Sequence, residues 1–153
     1  MYSKDEVAKL KQEFWTTFGQ YMALETSSEG MRINWINYKT GIKHLYLKME
    51  ADGKKVRISI EISHPDPSIQ ELLFEQFKEF KAILTSYLNE EWFWELHTTD
   101  DYGKVVTRIS ITDHGVSIFK KEDWPSLISF LKPRLLALDS FWNDAKDSFN
   151  LFA

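Results

Sequence analysis

Hydrophobic positions recur along this chain at two periods, near 3.6 and near 2, and the switch between them marks out helices and strands. Val7, Leu10, Phe14, Phe18, Tyr21 and Met22 fall on one helical stripe, while Lys4, Asp5, Lys9, Gln12 and Glu13 lie elsewhere on the wheel. Ser3 and Glu6 have capping-box spacing, which sets the helix start at Ser3. Gly19 interrupts the stripe at a cost of about 1 kcal/mol relative to Ala, and so marks close packing against another element. Polar residues 25–30 end the helix, and residues 31–37 alternate weakly, predicting a first strand.

Turn signals then set two hairpins. Asp52-Gly53 between alternating stretches predicts a tight turn. With those two residues at its centre, Met49 faces Val56, Leu47 faces Ile58 and Leu45 faces Ile60 on an apolar side. The polar side pairs Glu50 with Lys55, Lys48 with Arg57, Tyr46 with Ser59 and His44 with Glu61. The following His-Pro-Asp-Pro cannot continue a ladder, because proline lacks the donor and restricts its predecessor. Ser68 and Glu71 have capping-box spacing ahead of a covering helix that carries Leu73, Phe77, Phe80, Leu84 and Leu88 and stops at Asn89. A turn at residues 100–103 closes the second hairpin, with Trp92 facing Ile111, Trp94 facing Ile109 and Glu95 facing Arg108. The last pair contributes ~0.2–1 kcal/mol.

His114-Gly115 predicts another turn, and residues 116–119 a short final strand. Asp123-Trp124-Pro125 opens a C-terminal helix in which Pro133 demands a kink or a division into two helices. The expected fold is α+β in the order α-β-β-β-α-β-β-β-α. It is one domain over residues 1–153, a mainly antiparallel sheet of five to six strands with N-terminal, central and C-terminal helices packed on it.

Composition changes this picture in three places. The chain has 153 residues, 43% of them hydrophobic and 27% charged, which is ordinary for a globular domain. Aromatic residues reach 15%, a large supply of packing groups; any of them left in an exposed patch would drive homo-oligomerisation. A net charge of -4 disfavours a surface that binds nucleic acid all over and leaves room for a local basic patch. With no cysteine, disulfides, thiolate nucleophiles and cysteine–zinc sites are excluded. The charged, helix-periodic start does not resemble a secretory signal, and no apolar run approaches the ~20 residues that span a bilayer. A cytoplasmic protein without a membrane contact is the expectation.

Two pairs on the polar side of the first hairpin carry the candidate chemistry. Lys48 facing Arg57 is a repulsive cross-strand pair and calls for compensation. Either a neighbouring carboxylate such as Glu50 supplies it, or an anion does, such as a nucleic-acid phosphate, in a binding patch extended by Lys55 and Arg32. His44 facing Glu61 would make a structural pair, orient a general base or offer two metal ligands. No Gly-x-Ser-x-Gly, phosphate-cradling loop or dinucleotide fingerprint is present.

The order helix, three strands, helix, strand resembles the core of the restriction-endonuclease-like nucleases, which hold a divalent metal through a carboxylate on the second strand and a Glu-x-Lys on the third. The corresponding places here are His44 and Glu61-Ile62-Ser63, so the first carboxylate and the lysine are missing. Nearly the whole chain also resembles a bacterial conserved-domain family of unknown function. The likeness rests on Trp35-Ile36-Asn37-Tyr38-Lys39-Thr40-Gly41-Ile42-Lys43-His44, on Glu95-Leu96-His97-Thr98-Thr99-Asp100, and on Phe141-Trp142-Asn143-Asp144-Ala145-Lys146. Related domains of that family stand beside nuclease-like segments in longer proteins. The resemblance implies little about function; the expectation is a non-catalytic module that binds nucleic acid or a protein partner, and the alternative is a divergent Mg²⁺-dependent nuclease using Glu61 with help from Glu50 or His44.

Overall fold

A computed structural model describes residues 2–153. Its elements are α1 (Lys4–Met22), β1 (Leu45–Ala51), β2 (Lys55–Ile62), α2 (Pro67–Glu79), α3 (Lys81–Leu88), β3 (Phe93–Thr99), β4 (Val105–His114) and α4 (Trp124–Ala145). One antiparallel sheet of four strands runs in the order β1-β2-β4-β3. The five to six strands expected from the sequence are therefore too many. Residues 31–37 form no strand, because Trp35 and Tyr38 are drawn inward as anchors of an irregular segment. Nor do residues 116–119: there the Ser117 amide donates to the Asp123 carboxylate and the Ile118 amide to the Asp52 carbonyl.

The first hairpin forms, but two residues along from the expected register. Asp52 is the first residue of the turn, and its carboxylate accepts from the Lys54 amide at 2.8 Å and the Lys55 amide at 3.0 Å. An Asp at that position of a β-turn caps the following amides through its side chain, which outweighs placing Asp-Gly at the centre. A slip of two preserves the faces and changes every partner. Leu45, Leu47 and Met49 thus oppose Ile62, Ile60 and Ile58, while Glu50 opposes Arg57, Lys48 opposes Ser59 and Tyr46 opposes Glu61. The second hairpin has the expected register, with Trp94 opposite Ile109 and Glu95 opposite Arg108, before a bulge between Glu95 and Thr98.

Helices α4 and α2 cover the apolar face of the sheet. Ile58, Ile60 and Ile62 are buried there with Phe77, Leu135, Leu138, Phe141 and Trp142. Each such aliphatic side chain contributes ~1.5–3 kcal/mol by leaving water. The Ser3–Glu6 capping box closes the start of α1 as its spacing requires. At α2 the cap is Asp66, whose carboxylate accepts from the Ser68 amide with Pro67 in the first turn, so the helix begins earlier than Ser68. The covering helix is broken at Phe80, whose ring packs on Phe141 and Phe149. α4 runs unbroken through Pro133, which is exposed; the carbonyl it leaves free belongs to exposed Ser129.

The irregular segment between α1 and β1 is strapped to α4 around one buried acid. Asp139 is 2% exposed and accepts from the Tyr38 hydroxyl at 2.5 Å, the Ser28 amide at 2.8 Å and the Asn143 amide group at 3.0 Å. Burial and the carboxylate it donates to push the Tyr38 phenol far above its ordinary pKa, so it stays a donor. Trp142 adds a bond from its indole N–H to the Thr40 carbonyl at 2.9 Å. Replacing Asp139 with Ala leaves the buried Tyr38 hydroxyl without its acceptor and frees the Ser28 and Asn143 donors, and the expected loss in urea unfolding is about 1–3 kcal/mol; Tyr38→Phe, which removes one donor with its acceptor still served, is expected to lose about 1 kcal/mol.

Candidate functional site

The face of the sheet turned away from α4 is polar in its centre and half-closed at its edges. Alternation places Arg57, Ser59 and Glu61 of β2 on this side, opposite Thr112, Ser110 and Arg108 of β4. β1 adds Tyr46, Lys48 and Glu50, and β3 adds Phe93 and Glu95. Ser59, Glu61, Arg108 and Ser110 are all buried, although each has a polar side chain. Polar groups in that position need partners.

Glu61 receives two of them. Its Oε1 lies 3.3 Å from Arg108 Nη2 and its Oε2 lies 3.2 Å from Lys48 Nζ. The Glu61 and Arg108 side chains are each 6% exposed, whereas Lys48 is 41% exposed, so Lys48 is the member that water and salt weaken. One turn of the ladder away, Arg57 Nη2 reaches Glu50 Oε2 at 2.9 Å. The Lys48–Arg57 repulsion read from the sequence does not arise, because the shifted register gives each cation its own carboxylate. Glu50 is the neutralising group for Arg57. Arg108 opposes Glu95 in the ladder yet bonds to Glu61, because β2 and β4 pair in the sheet interior.

Four buried side-chain atoms have no hydrogen-bond partner among the described residues: Arg57 Nε, Arg108 Nε, Ser59 Oγ and Glu50 Oε1. All four belong to this one face. Beside them opens a cleft of about 350 Å³, lined by Lys48, Lys55, Arg57 and Arg108 together with Lys11 and Trp15 of α1. Its carboxylates are Glu50, Asp52, Asp100 and Asp101. Three of them are occupied: Glu50 by Arg57, Asp52 by the amides of its turn, and Asp100 by the Tyr102 and Lys104 amides at 2.9 Å each. Those backbone bonds and the charge of Lys48 hold the Asp100 carboxyl below its ordinary pKa.

Three of the four cations singled out in the sequence, Lys48, Lys55 and Arg57, therefore share a cleft. Arg32 does not join them; it stays exposed on the irregular segment, since the strand that would have carried it does not form. Sequence reasoning missed Lys11, Trp15 and the role of Arg108. The signal for Arg108 was present in the β4 alternation, which puts it on the polar side.

His44 and Glu61 are not partners. The register sets His44 beside Ser63, whose amide donates to the His44 carbonyl at 2.9 Å, and His44 adopts φ 67° as it leads into β1. Its ring lies 5.1 Å from that of His64. Loss of water around the ring, then the nearby His64, Lys43 and Lys104, lower its pKa. Among the described residues no three His, Asp or Glu side chains are grouped to hold a metal ion. Glu61 and Glu50 are each engaged by cations, so Glu61, Glu50 and His44 do not fit a Mg²⁺ site.

A larger cleft of about 680 Å³ lies between the irregular segment and the end of α4. Its buried acid, Asp139, is fully served by donors, which makes it a clamp. The smaller cleft holds the groups that still lack partners, and it is the stronger candidate. Most aromatic residues are core: Trp92 is buried, and Trp94 packs on Phe74. No described helix is long and apolar enough to cross a membrane.

The family described as a domain of unknown function, DUF4268, matches residues 10–146, and the chain belongs to that family. No curated protein and no solved structure matches the chain. A restriction-endonuclease-like core is not supported: two strands, and not three, precede α2. Two of the segments behind the family resemblance, residues 35–44 and 141–146, meet where Trp142 bonds to Thr40.

The Glu61–Arg108 pair sets a stability test. Glu61→Leu alone strands a buried guanidinium and is expected to cost about 3–5 kcal/mol in urea unfolding, while adding Arg108→Leu recovers most of that loss.

Proposed function

We propose that this domain is a non-catalytic binding module that takes the phosphate backbone of a nucleic acid in the cleft on the polar face of its sheet. The observation that carries the reading is the set of buried guanidinium donors without a partner among the described residues, Arg57 Nε and Arg108 Nε, beside Lys11 and Lys55 in the same cleft. A buried donor without an acceptor costs free energy that an oxyanion would recover, and guanidinium groups match phosphate oxygens in geometry. Of the four acids in the cleft, Glu50 is paired with Arg57, and Asp52 and Asp100, still charged, are directed at the backbone amides of their own turns. The chain's net charge of -4 disfavours attraction over the whole surface.

In such a role the module delivers or holds a strand for other machinery. Nothing about the arrangement favours hydrolysis by this chain itself, since the carboxylates that would carry it are tied to cations.

Fluorescence anisotropy with a labelled oligonucleotide at low salt tests the reading. Lys55→Glu and Arg57→Glu are each expected to weaken binding about tenfold and to flatten the salt dependence, whereas Arg32→Glu leaves it unchanged. Equal affinity in all four proteins, or loss only in Arg32→Glu, would overturn it.

A further inference from the structure

We infer that the site reads an unpaired nucleotide, with the base seated in a largely apolar cavity that adjoins the cleft of Lys55, Arg57 and Arg108. This rests on the phosphate-binding reading above and adds a second component to it. The adjoining cavity has a volume of about 470 Å³ and shares Trp15, Lys48 and Met49 with the cleft. Beyond that shared wall the linings diverge. One side presents Ile36, Tyr38 and Tyr46; the other presents Lys55, Arg57 and Arg108.

A nucleotide has the same division, a flat base with apolar faces joined through a sugar to a charged phosphate. Trp15, half-buried on α1, and Tyr46, 47% exposed on β1, are the rings available for stacking. Lys48 stands between the two compartments, held to Glu61 at 3.2 Å but still exposed enough to turn toward a ligand. An extended acidic peptide would satisfy the cleft and leave the apolar cavity to chance; a duplex would bring phosphates but keep its bases stacked and paired. The pairing of compartments fits a single strand.

The experiment compares three probes at one ionic strength: a single-stranded oligonucleotide, the duplex of the same sequence, and inorganic polyphosphate of similar length. The single strand is expected to bind about tenfold more tightly than the other two. Tyr46→Ala, a change on the surface, should erase that margin while leaving polyphosphate affinity unchanged. Trp15→Phe, which keeps a ring against Phe14, should lose less of the margin than Trp15→Ala. If single strand, duplex and polyphosphate bind alike and Tyr46→Ala is silent, the base seat is wrong and the phosphate cleft stands. If none of the three binds, the phosphate reading fails and this inference fails with it.

Discussion

A carboxylate buried in the middle of a sheet has to be held by cations, and Glu61 is such a carboxylate. Its place on β2, between β1 and β4, brings Lys48 in from one side and Arg108 from the other. Removing Glu61 would strand the buried Arg108 charge in a low-dielectric interior, so the strand order and the register of both neighbours are coupled to this one side chain. The other face of the same strand carries Ile58, Ile60 and Ile62 into the core beneath α4. β2 thus joins a conventional apolar core to a polar layer whose hydrogen bonding is incomplete.

That incompleteness links the fold to function. Core packing and the Asp139 clamp make one side of the molecule rigid and well satisfied. On the opposite side, two guanidinium groups, a serine hydroxyl and a carboxylate oxygen are buried short of partners. A protein tolerates such groups at a cost of about 1–3 kcal/mol each, and a ligand that supplies acceptors recovers part of it. Under the proposed reading, the cavity next door, walled by Trp15 and Tyr46, would give the same ligand a second foothold.

Much of this was legible along the chain, and what was not has identifiable causes. The alternation in β2 and β4 separated the two faces correctly, and the second hairpin could be placed in register from Trp94, Glu95, Ile109 and Arg108. The first hairpin was misplaced by two residues because the Asp52 side chain caps its own turn, a choice that dipeptide statistics do not reveal. Since side-chain direction repeats every two residues, the faces survived the slip and the partners did not. That is why Lys48, Lys55 and Arg57 remain together at a cleft, whereas the Lys48–Arg57 and His44–Glu61 pairs dissolve. Residues 31–37 read as a strand by alternation, but Trp35 and Tyr38 are fixed by the Glu25 carbonyl and by Asp139, contacts made over long separations that no local pattern encodes. Arg32 was lost from the patch for the same reason. The cavity flanked by Trp15 depends on how α1 lies against β1, a tertiary matter throughout.

A ligand docked as proposed would engage the unpartnered donors of the polar face. Nitrogen-15 NMR of the arginine side chains, recorded while a single-stranded oligonucleotide is added, reads those donors directly. The Nε–H resonances of Arg57 and Arg108 are expected to move together with the backbone amides of Ser59 and Ser110, while Ser28 and Asn143 in the clamp stay still. Movement centred on Ser28 and Asn143, with both arginine Nε–H signals unchanged at saturation, would contradict it.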